Sequence, residues 1–239
     1  MPKPNEDWRI LPHGPLEEVD DGILTVVGEI HMPLGNFPRR MTVVRLNDGG
    51  TAIFSAICVE EPLMERIEAL GRPSVLIVPS GYHRIDAPAW KKRYPEIRVI
   101  APRGARSRVV KAVSVDATED IIGDPEVHFL SVPGTADQES ALEVTRCGRF
   151  TIIVNDIIGN VRHPKGFGGK LVARLVGYRG PPARVPRTIR WFLVKDRAAL
   201  CAQFRAWAEM PGLVRVVMSH GDVIEGQAAA TLKRLAEAV

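Results

Sequence analysis

Three apolar, β-branched runs in this chain each come shortly before a residue that can bind a metal ion. The runs and the residues that follow them are Val75–Val78 with His83, Ile152–Val154 with Asp156, and Val216–Met218 with His220. Such runs are typical of buried strands, and ligands gather where the strands of an open sheet end. The pattern predicts a site of two imidazoles and one carboxylate, which Zn, Fe(II) and Mn all accept. Many strands also end on a polar residue only because the chain leaves the core, and each run taken alone favours that simpler interpretation.

The length of the chain, 239 residues, is enough for one domain with a full hydrophobic core. No apolar run approaches the roughly 20 residues of a membrane-spanning helix. The N-terminal sequence MPKPNED also lacks the layout of a signal peptide, so we expect a cytoplasmic protein without a membrane partner. Cys58, Cys147 and Cys201 are widely spaced and lack the pairing of metal ligands, which indicates reduced thiols without a functional role.

The order of apolar and amphipathic segments predicts an α/β fold. Residues 1–21 are rich in Pro, Glu and Asp and predict an N-terminal arm, followed by a single domain over residues 22–239. The predicted strands are 23–30, 41–46, 51–56, 75–78, 98–101, 127–132, 141–146, 151–154 and 214–218. The predicted helices are 62–70, 87–94, 106–112, 170–176, 188–194, 197–209 and 227–239. The close succession of strands in the middle of the chain indicates a sheet that is antiparallel or mixed.

Basic residues are concentrated after two of the three candidate ligands. Between Asp156 and Asp196 there are nine Lys and Arg residues and no acidic residue. A second basic segment, residues 84–111, follows His83. Basic groups around a pocket attract anions, so an anionic small molecule is the expected partner. A solvated cationic surface explains the same pattern equally well.

Four sequence motifs together resemble those of the metallo-β-lactamase-like hydrolase family. That family carries His-x-His-x-Asp-His after an early strand, a Pro-Gly-His-Thr turn, an Asp that ends a later strand, and a final His-Gly pair. The corresponding segments here are Val78–His83, Pro133–Thr135, Asp156 and His220–Gly221. The segments 37–46, 82–83 and 90–95 further resemble a little-described branch of the family with the same eroded motif. The resemblance covers the chain from Gly22 onward and implies an αββα sandwich of two mixed β-sheets flanked by helices.

The resemblance also implies that the usual first metal site is lost. With His83 aligned to the last His of the first motif, the residues that replace two His, the Asp and the mid-chain His are Val78, Ser80, Tyr82 and Thr135. An alignment shifted by one residue puts Arg84 at the last His and loses the same first two His. In the first alignment, His83, Asp156 and His220 correspond to the ligands of the second metal. One divalent metal is therefore implied, with zinc first and iron or manganese as alternatives, and a site without any metal is the other interpretation.

The function that the resemblance implies is hydrolysis of an anionic ester, lactone or phosphoester by a metal-activated water at a mononuclear site. Asp86 is the nearest substitute for the missing water-orienting carboxylate, although its place before Pro88 is also typical of an ordinary helix N-cap. The candidate substrate-binding residues are Arg84, Arg162, His31 and His163. The alternative function is that of a non-catalytic relative, in which a degenerate metal site and its basic mouth bind a ligand or a partner.

Nucleic acid is a weaker candidate partner. The aromatic residues of the basic segment after Asp156 are Phe167, Tyr178, Trp191 and Phe192. Their spacings suit helix packing as well as base stacking, so binding to nucleic acid is not expected. The sequence contains no indication of the oligomeric state.

Overall fold

Two mixed β-sheets pack face to face, and helices cover the outer face of each sheet. The computed structural model describes residues 3–32, 35–162, 177–178 and 180–239. Over these residues the predicted sandwich of two mixed sheets flanked by helices is confirmed. None of the helices in this part of the chain has the length and hydrophobicity that a membrane span requires.

The first sheet has six strands that lie in the order of the sequence. They are β1 (His13–Asp20), β2 (Ile23–Met32), β3 (Gly35–Arg45), β4 (Gly50–Phe54), β5 (Arg72–Ile77) and β6 (Arg98–Ile100). The first four strands pair antiparallel, and β5 and β6 continue the sheet parallel to β4. Parallel neighbours need a crossover connection. Helix α1 (Glu61–Leu70) connects β4 to β5, and α2 (Ala87–Arg93) connects β5 to β6.

The second sheet has five strands in the order β11-β10-β9-β8-β7. A short helix, α3 (Arg106–Val109), precedes it, and its strands are β7 (Val127–Ser131), β8 (Ser140–Arg146), β9 (Arg149–Asn160), β10 (Leu213–Gly221) and β11 (Ile224–Glu225). Strands β7, β8 and β9 form an antiparallel meander, whereas β10 lies parallel to β9. The chain returns to β10 through α4 (Arg187–Phe192) and α5 (Arg197–Glu209), and α6 (Ala228–Ala238) follows β11.

The core has three layers of buried apolar side chains. The middle layer, between the sheets, includes Phe54 and Ile77 from the first sheet and Phe129 and Ile153 from the second. The outer layers lie under the helices and include Met64, Ile67 and Trp90 on one side and Phe204, Trp207, Leu232 and Leu235 on the other. Because both faces of each sheet are covered, the central strands are apolar on both faces, which explains the continuous apolar runs in the sequence.

Regular structure begins earlier than the predicted N-terminal arm implies. Residues 13–20 form β1 at the edge of the first sheet, where Leu16 is buried in the apolar core and Val19 packs against it. Charged residues are common on edge strands because one side of such a strand faces solvent, and this composition resembles that of an arm. The predicted helix at 170–176 lies outside the described residues.

The ladder between β9 and β10 is interrupted at the residues that carry two candidate ligands. Met218 pairs with Val154, but His220 pairs with Gly159. The step from Met218 to His220 is two residues, and the step from Val154 to Gly159 is five, so β9 contains three additional residues here. Strand β9 therefore bulges away from the ladder around Asp156.

Gly221 ends β10 in a conformation that favours glycine. Its φ is +116°, and a Cβ at this position would lie 2.3 Å from the backbone carbon of Asn160 and 2.7 Å from the backbone nitrogen of Val161. Gly226 also has a positive φ, +69°, but a Cβ there would have nothing within 4 Å. Substitutions at the two glycines therefore distinguish the cost of the backbone conformation from the cost of a steric clash.

We expect Gly221→Ala to lower the free energy of unfolding by about 3 kcal/mol or more, because left-handed strain of roughly 1–2 kcal/mol adds to an overpacking cost of roughly 1–3 kcal/mol. Gly226→Ala carries only the first cost, so a loss of about 1 kcal/mol is expected. Urea unfolding followed by tryptophan fluorescence measures both variants. Equal losses in the two variants would contradict the close approach of β10 to Asn160.

Candidate metal centre

The three candidate ligands meet at the carboxyl ends of β5, β9 and β10. His220 lies on β10, Asp156 on the bulge of β9, and His83 in the loop between β5 and α2. The Nε2 atoms of His83 and His220 are 3.1 Å apart. Oδ1 of Asp156 lies 3.6 Å from Nε2 of His83 and 3.0 Å from Nε2 of His220. All three side chains are buried, with 5–8% exposure, so the structure brings together three residues that are distant in the sequence.

The three donor atoms are spaced like ligands of one small cation. A tetrahedral site with bonds of about 2.0–2.1 Å separates neighbouring ligand atoms by about 3.3–3.4 Å. The distances between the donor atoms of this group, 3.0, 3.1 and 3.6 Å, bracket that value. Among the described residues, His83, Asp156 and His220 form the group of His, Cys, Asp and Glu side chains with the spacing that a metal ion needs.

Hydrogen bonds on the far side of each imidazole favour the tautomer that a metal requires. Nδ1 of His220 lies 2.6 Å from the carbonyl oxygen of Pro38 and must donate, because a carbonyl can only accept. Nδ1 of His83 lies 2.8 Å from the hydroxyl of Ser55, which can accept the equivalent bond. Both Nε2 atoms then present lone pairs to each other and to the carboxylate of Asp156. Lone pairs at these distances repel unless a cation lies between them, so the group fits a divalent metal.

Ser55 reaches His83 from an uncommon backbone conformation. The residue follows β4 directly, is buried, and has a φ of +59°. Non-glycine residues in this region of φ are strained by about 1–2 kcal/mol and cluster at functional sites. The turn at Ser55 places its hydroxyl against the imidazole of His83, which links the strain to the position of a candidate ligand.

The charge states of the ligands also suit a cation. Burial lowers the pKa of His83, and the charge of Asp156 opposes this effect without reversing it. Burial alone would raise the pKa of Asp156, but a proton on Nε2 of His83 or His220 outweighs burial and holds that pKa well below its usual range. A bound cation would take the place of that proton when both imidazoles are neutral. Neutral imidazole and ionised carboxylate are the forms of these side chains that bind metals.

Tyr178 supports both Asp156 and His220. Its hydroxyl donates to Oδ1 of Asp156 at 2.9 Å. Burial and the charge of Asp156 raise the pKa of Tyr178 well above its ordinary value, so the phenol keeps its proton and remains a donor. Its ring packs edge-on against His220, with ring centroids 5.3 Å apart, and against Phe37 at 5.2 Å. Tyr178 therefore orients the carboxylate and closes one side of the imidazole.

A second carboxyl group, that of Glu139, lies fully buried behind Asp156. Oε2 of Glu139 accepts from the backbone N–H of Asp156 at 3.2 Å and from Nδ2 of Asn155 at 2.9 Å. Burial, followed by the charge of Asp156, raises the pKa of Glu139 well above its ordinary value. Glu139 therefore holds the bulge of β9 by hydrogen bonds from Asp156 and Asn155.

Asp86, the predicted substitute for the water-orienting carboxylate, belongs to a buried ion pair. Its Oδ2 accepts from Arg39, and its Oδ1 accepts from Nδ2 of Asn5 at 2.6 Å. Asp86 also precedes α2 as the N-cap residue but makes no side-chain cap hydrogen bond. Both carboxylate oxygens are thus engaged with other side chains, and the catalytic role of Asp86 stays a prediction.

The predicted substrate-binding residues have different environments. Arg84 donates to the backbone oxygen of Arg108 at 2.6 Å. Arg162 is half exposed, and its Nε lies 3.5 Å from Oδ2 of Asp222. His31 belongs to β2, but its side chain, like the whole of His163, lies outside the described part of the chain. Their roles toward a substrate stay predictions.

A cavity of about 350 Å³ lies beside the ligand group. Pro38 and Gly221, which contact or adjoin His220, line this cavity together with Arg40 and Arg162. Arg40 is only 7% exposed and donates to the hydroxyl of Thr25 at 3.0 Å and to the carbonyl of Gly221 at 3.1 Å. It forms no ion pair within 4.0 Å with a carboxylate of the described residues, so a buried cation adjoins the candidate metal centre.

No protein-family model and no curated protein sequence matches this chain. Its structure is nevertheless similar to solved metallo-β-lactamases. DIM-1 metallo-β-lactamase has a TM-score of 0.61 and 13% identity over 96% of this chain and 99% of that protein. FIM-1 from Pseudomonas aeruginosa, in its mono-zinc form, has a TM-score of 0.59 and 13% identity over 96% of each chain. The metallo-β-lactamase from Erythrobacter litoralis has a TM-score of 0.60 and 14% identity over 94% of this chain and 96% of that one. The chain therefore has the metallo-β-lactamase fold.

Sequence reasoning missed the residues that support the ligands. Ser55 and Pro38 carry no motif, because their contribution is a hydroxyl in a strained turn and a backbone oxygen. Tyr178 stood out only as one aromatic residue of a basic segment. Glu139 offered a usable signal, since it is an acidic residue directly before the apolar segment of β8. An acidic residue at the edge of a buried strand needs a hydrogen-bonding partner. The sequence does not show which residues lie next to Glu139 in the folded protein.

We expect Asp156→Asn, His83→Ala and His220→Ala each to weaken Zn²⁺ binding by about 100-fold or more, since each removes one of three protein ligands and Asp156 is the anionic one. His128→Ala is the matched control, because His128 is a half-exposed histidine of β7 outside the group. Competition with a chromogenic chelator measures each affinity. Unchanged affinity in all three variants would show that the group does not bind the metal.

We expect Glu139→Gln to become more stable relative to the wild type as pH rises. An unfolded glutamate loses its proton near pH 4.3, whereas the raised pKa of Glu139 lets the folded chain hold this proton to a higher pH. The folded state then binds more protons, so the stability of the wild type falls by up to about 1.4 kcal/mol per pH unit above that point. Glutamine keeps the shape of the acid without this dependence.

Urea unfolding of the chelator-treated protein at pH 5 and pH 7 tests this expectation. The difference in unfolding free energy between Glu139→Gln and the wild type should grow in favour of the variant at pH 7. Glu143→Gln, on the neighbouring strand β8, is the control for loss of a carboxylate. A difference that is the same at both pH values would mean that Glu139 is ionised in the folded protein.

Proposed function

We propose that the chain is a hydrolase that uses one divalent metal, held by His83, Asp156 and His220, to cleave an anionic ester, lactone or phosphoester. The observation that carries this proposal is the convergence of two imidazole nitrogens and one carboxylate oxygen within 3.6 Å of one another. Hydrogen bonds to the backbone and to other side chains hold all three groups. Similarity in fold to proteins that are named metallo-β-lactamases supports the hydrolase class.

Zinc is the metal that we propose for this site. Two imidazole nitrogens and one carboxylate oxygen suit zinc, and three protein ligands leave an open position, as in catalytic zinc sites. Iron and manganese accept the same ligands and are tested alongside zinc. The mono-zinc form of FIM-1 supports a single ion. We further propose a cytoplasmic location, because the three free cysteines suit a reducing compartment.

A bound metal of this kind supplies Lewis acidity and makes water acidic enough to act as a nucleophile near neutral pH. The protein itself holds the metal ligands in position and excludes solvent from the site. Ser55 and Pro38 fix the rings of His83 and His220, and Tyr178 keeps the carboxylate of Asp156 oriented. Burial of the ligands keeps bulk water out and strengthens the electrostatic interactions within the site.

The anionic substrate follows from the cations around the neighbouring cavity. Arg40 is buried there with no carboxylate of the described residues within 4.0 Å, and Arg162 extends from the same cavity toward solvent. A guanidinium in a poorly hydrated site binds carboxylate or phosphate oxygens strongly. Glu29 and Asp222 also line the cavity and limit its net charge, so we expect a ligand with one localised negative group.

Metal analysis followed by a substrate panel tests the proposal. Protein purified without chelator should contain about one equivalent of metal by mass spectrometry, and Asp156→Asn should contain far less. The loaded protein should hydrolyse at least one class among carboxylated esters, lactones and phosphoesters, with His128→Ala fully active. Each anionic ester is compared with a neutral ester of the same leaving group, and Arg40→Gln should raise KM only for the anionic one. One equivalent of metal without hydrolysis of any class would reject the enzymatic part of the proposal.

A further inference from the structure

A groove lined by arginines lies at the outer side of the second sheet, away from the ligand group. It has a volume of about 390 Å³ and lies between the loop before α4, α4 itself and the last turns of α6. Four arginines surround an apolar floor that includes Ala183 and Leu235. They are Arg184, Arg187, Arg190 and Arg234, and no acidic residue lines the groove. We call this surface the arginine groove.

The guanidinium groups of the arginine groove have no anionic partners among the residues that the structure describes. Arg190 donates to the carbonyl of Ala238 at 3.4 Å and Arg234 to the carbonyl of Ala183 at 3.3 Å, which are long hydrogen bonds. None of the four forms an ion pair with a carboxylate of the described residues. Nε of Arg190 is buried and has no hydrogen-bond partner. The groove therefore concentrates positive charge that the described part of the chain does not neutralise.

Other arginines of the chain behave differently. Arg93 pairs with Glu61 at 2.6 Å, and Arg149 and Arg215 both pair with Asp20. Four neighbouring guanidinium groups without a counter-charge repel each other, and a polyanion that binds between them relieves this repulsion.

Two exposed aromatic side chains follow the groove arginines Arg187 and Arg190 on α4. Trp191 is 61% exposed and Phe192 is 69% exposed, and both belong to α4. Trp191 follows Arg187 by four residues, so the two side chains are neighbours on the helix surface. Large aromatic rings with this exposure beside cations are characteristic of surfaces that stack nucleic-acid bases and contact the phosphates between them.

The groove continues toward the candidate metal centre. A larger cavity, of about 890 Å³, shares Ala183 and Arg234 with the arginine groove. At its other end it shares Arg40 and Arg162 with the cavity beside His220. Glu17, Asp222 and Glu225 also line the larger cavity, so the positive charge without acidic neighbours is confined to the arginine groove.

We propose that the arginine groove binds the phosphate backbone of single-stranded nucleic acid, with a base stacked on Trp191. All four cations are arginines, whose planar guanidinium groups match phosphate oxygens better than lysines do. The concave shape fits a strand better than the flat surface of a bilayer. The proposal departs from the expectation drawn from sequence spacing, because the fold adds Arg234 of α6 to the arginines around α4. It does not depend on hydrolysis at the metal centre.

Fluorescence anisotropy with a labelled oligothymidylate tests the proposal. Arg187→Gln/Arg190→Gln should weaken binding about tenfold or more and reduce the slope of log K against log salt by about 1.4, the value for two phosphate contacts of a single strand. Arg103→Gln/Arg205→Gln is the control, since both positions are exposed and lie outside the groove. Thermal unfolding checks that all variants are folded.

The Trp191→Ala variant tests the contribution of base stacking to binding separately from that of the positive charge. It should weaken oligothymidylate binding several-fold but leave binding of inorganic polyphosphate unchanged, because polyphosphate has no bases. Equal weakening by both pairs of arginine variants would overturn the proposal in favour of general net charge. No measurable binding, equal effects of Trp191→Ala on both probes, or tighter binding to phosphatidylserine vesicles than to the oligonucleotide would each overturn it as well.

Discussion

The parallel pairing of β9 and β10 is the constraint on which the candidate metal centre depends. Its ladder sets Val154 opposite Met218, and a regular continuation would set Asp156 directly opposite His220. The two backbones would then be about 4.8 Å apart with their side chains parallel. The bulge removes Asp156 from the ladder, so its carboxylate can turn toward both imidazoles. Glu139 stabilises the bulge, because it accepts from the backbone N–H of Asp156 and from the side chain of Asn155.

Because His83, Asp156 and His220 are buried, their positions depend on hydrogen bonds with the residues around them. A carboxylate and two imidazoles with 5–8% exposure lose most of their hydration, which is unfavourable unless each polar atom finds a partner. Ser55, Pro38 and Tyr178 provide partners on the outer side of the group. A bound cation would provide the partner on the inner side, where the lone pairs meet. Metal binding would then be coupled to folding stability, because the folded state brings the three candidate ligands together.

The basic residues after Asp156 illustrate how folding redistributes a sequence feature. In the sequence they form one segment, which suggests a single basic mouth around the site. In the structure, Arg162 lies at the cavity beside His220, whereas Arg187 and Arg190 lie at the arginine groove with Arg234 from another helix. The reason is that α4 packs against α6 on the outer side of the sheet. The charges in a sequence predict that the protein has a basic surface, but helix packing decides where on the protein that surface lies.

The apolar periodicity of the sequence predicted an α/β fold, its resemblance to the metallo-β-lactamase-like family implied the αββα sandwich, and its strand ends identified the three candidate ligands that meet, because these are local features of the chain. The sequence did not determine β1, whose composition suits an edge strand and an arm alike. Only the tertiary structure decided the partners of the ligands. Pro38 and His220 are 182 residues apart in the chain, and Glu139 and Asn155 belong to different strands. Such contacts depend on strand register and on one bulge, and a shift of a single residue would turn these side chains to the opposite face of the sheet.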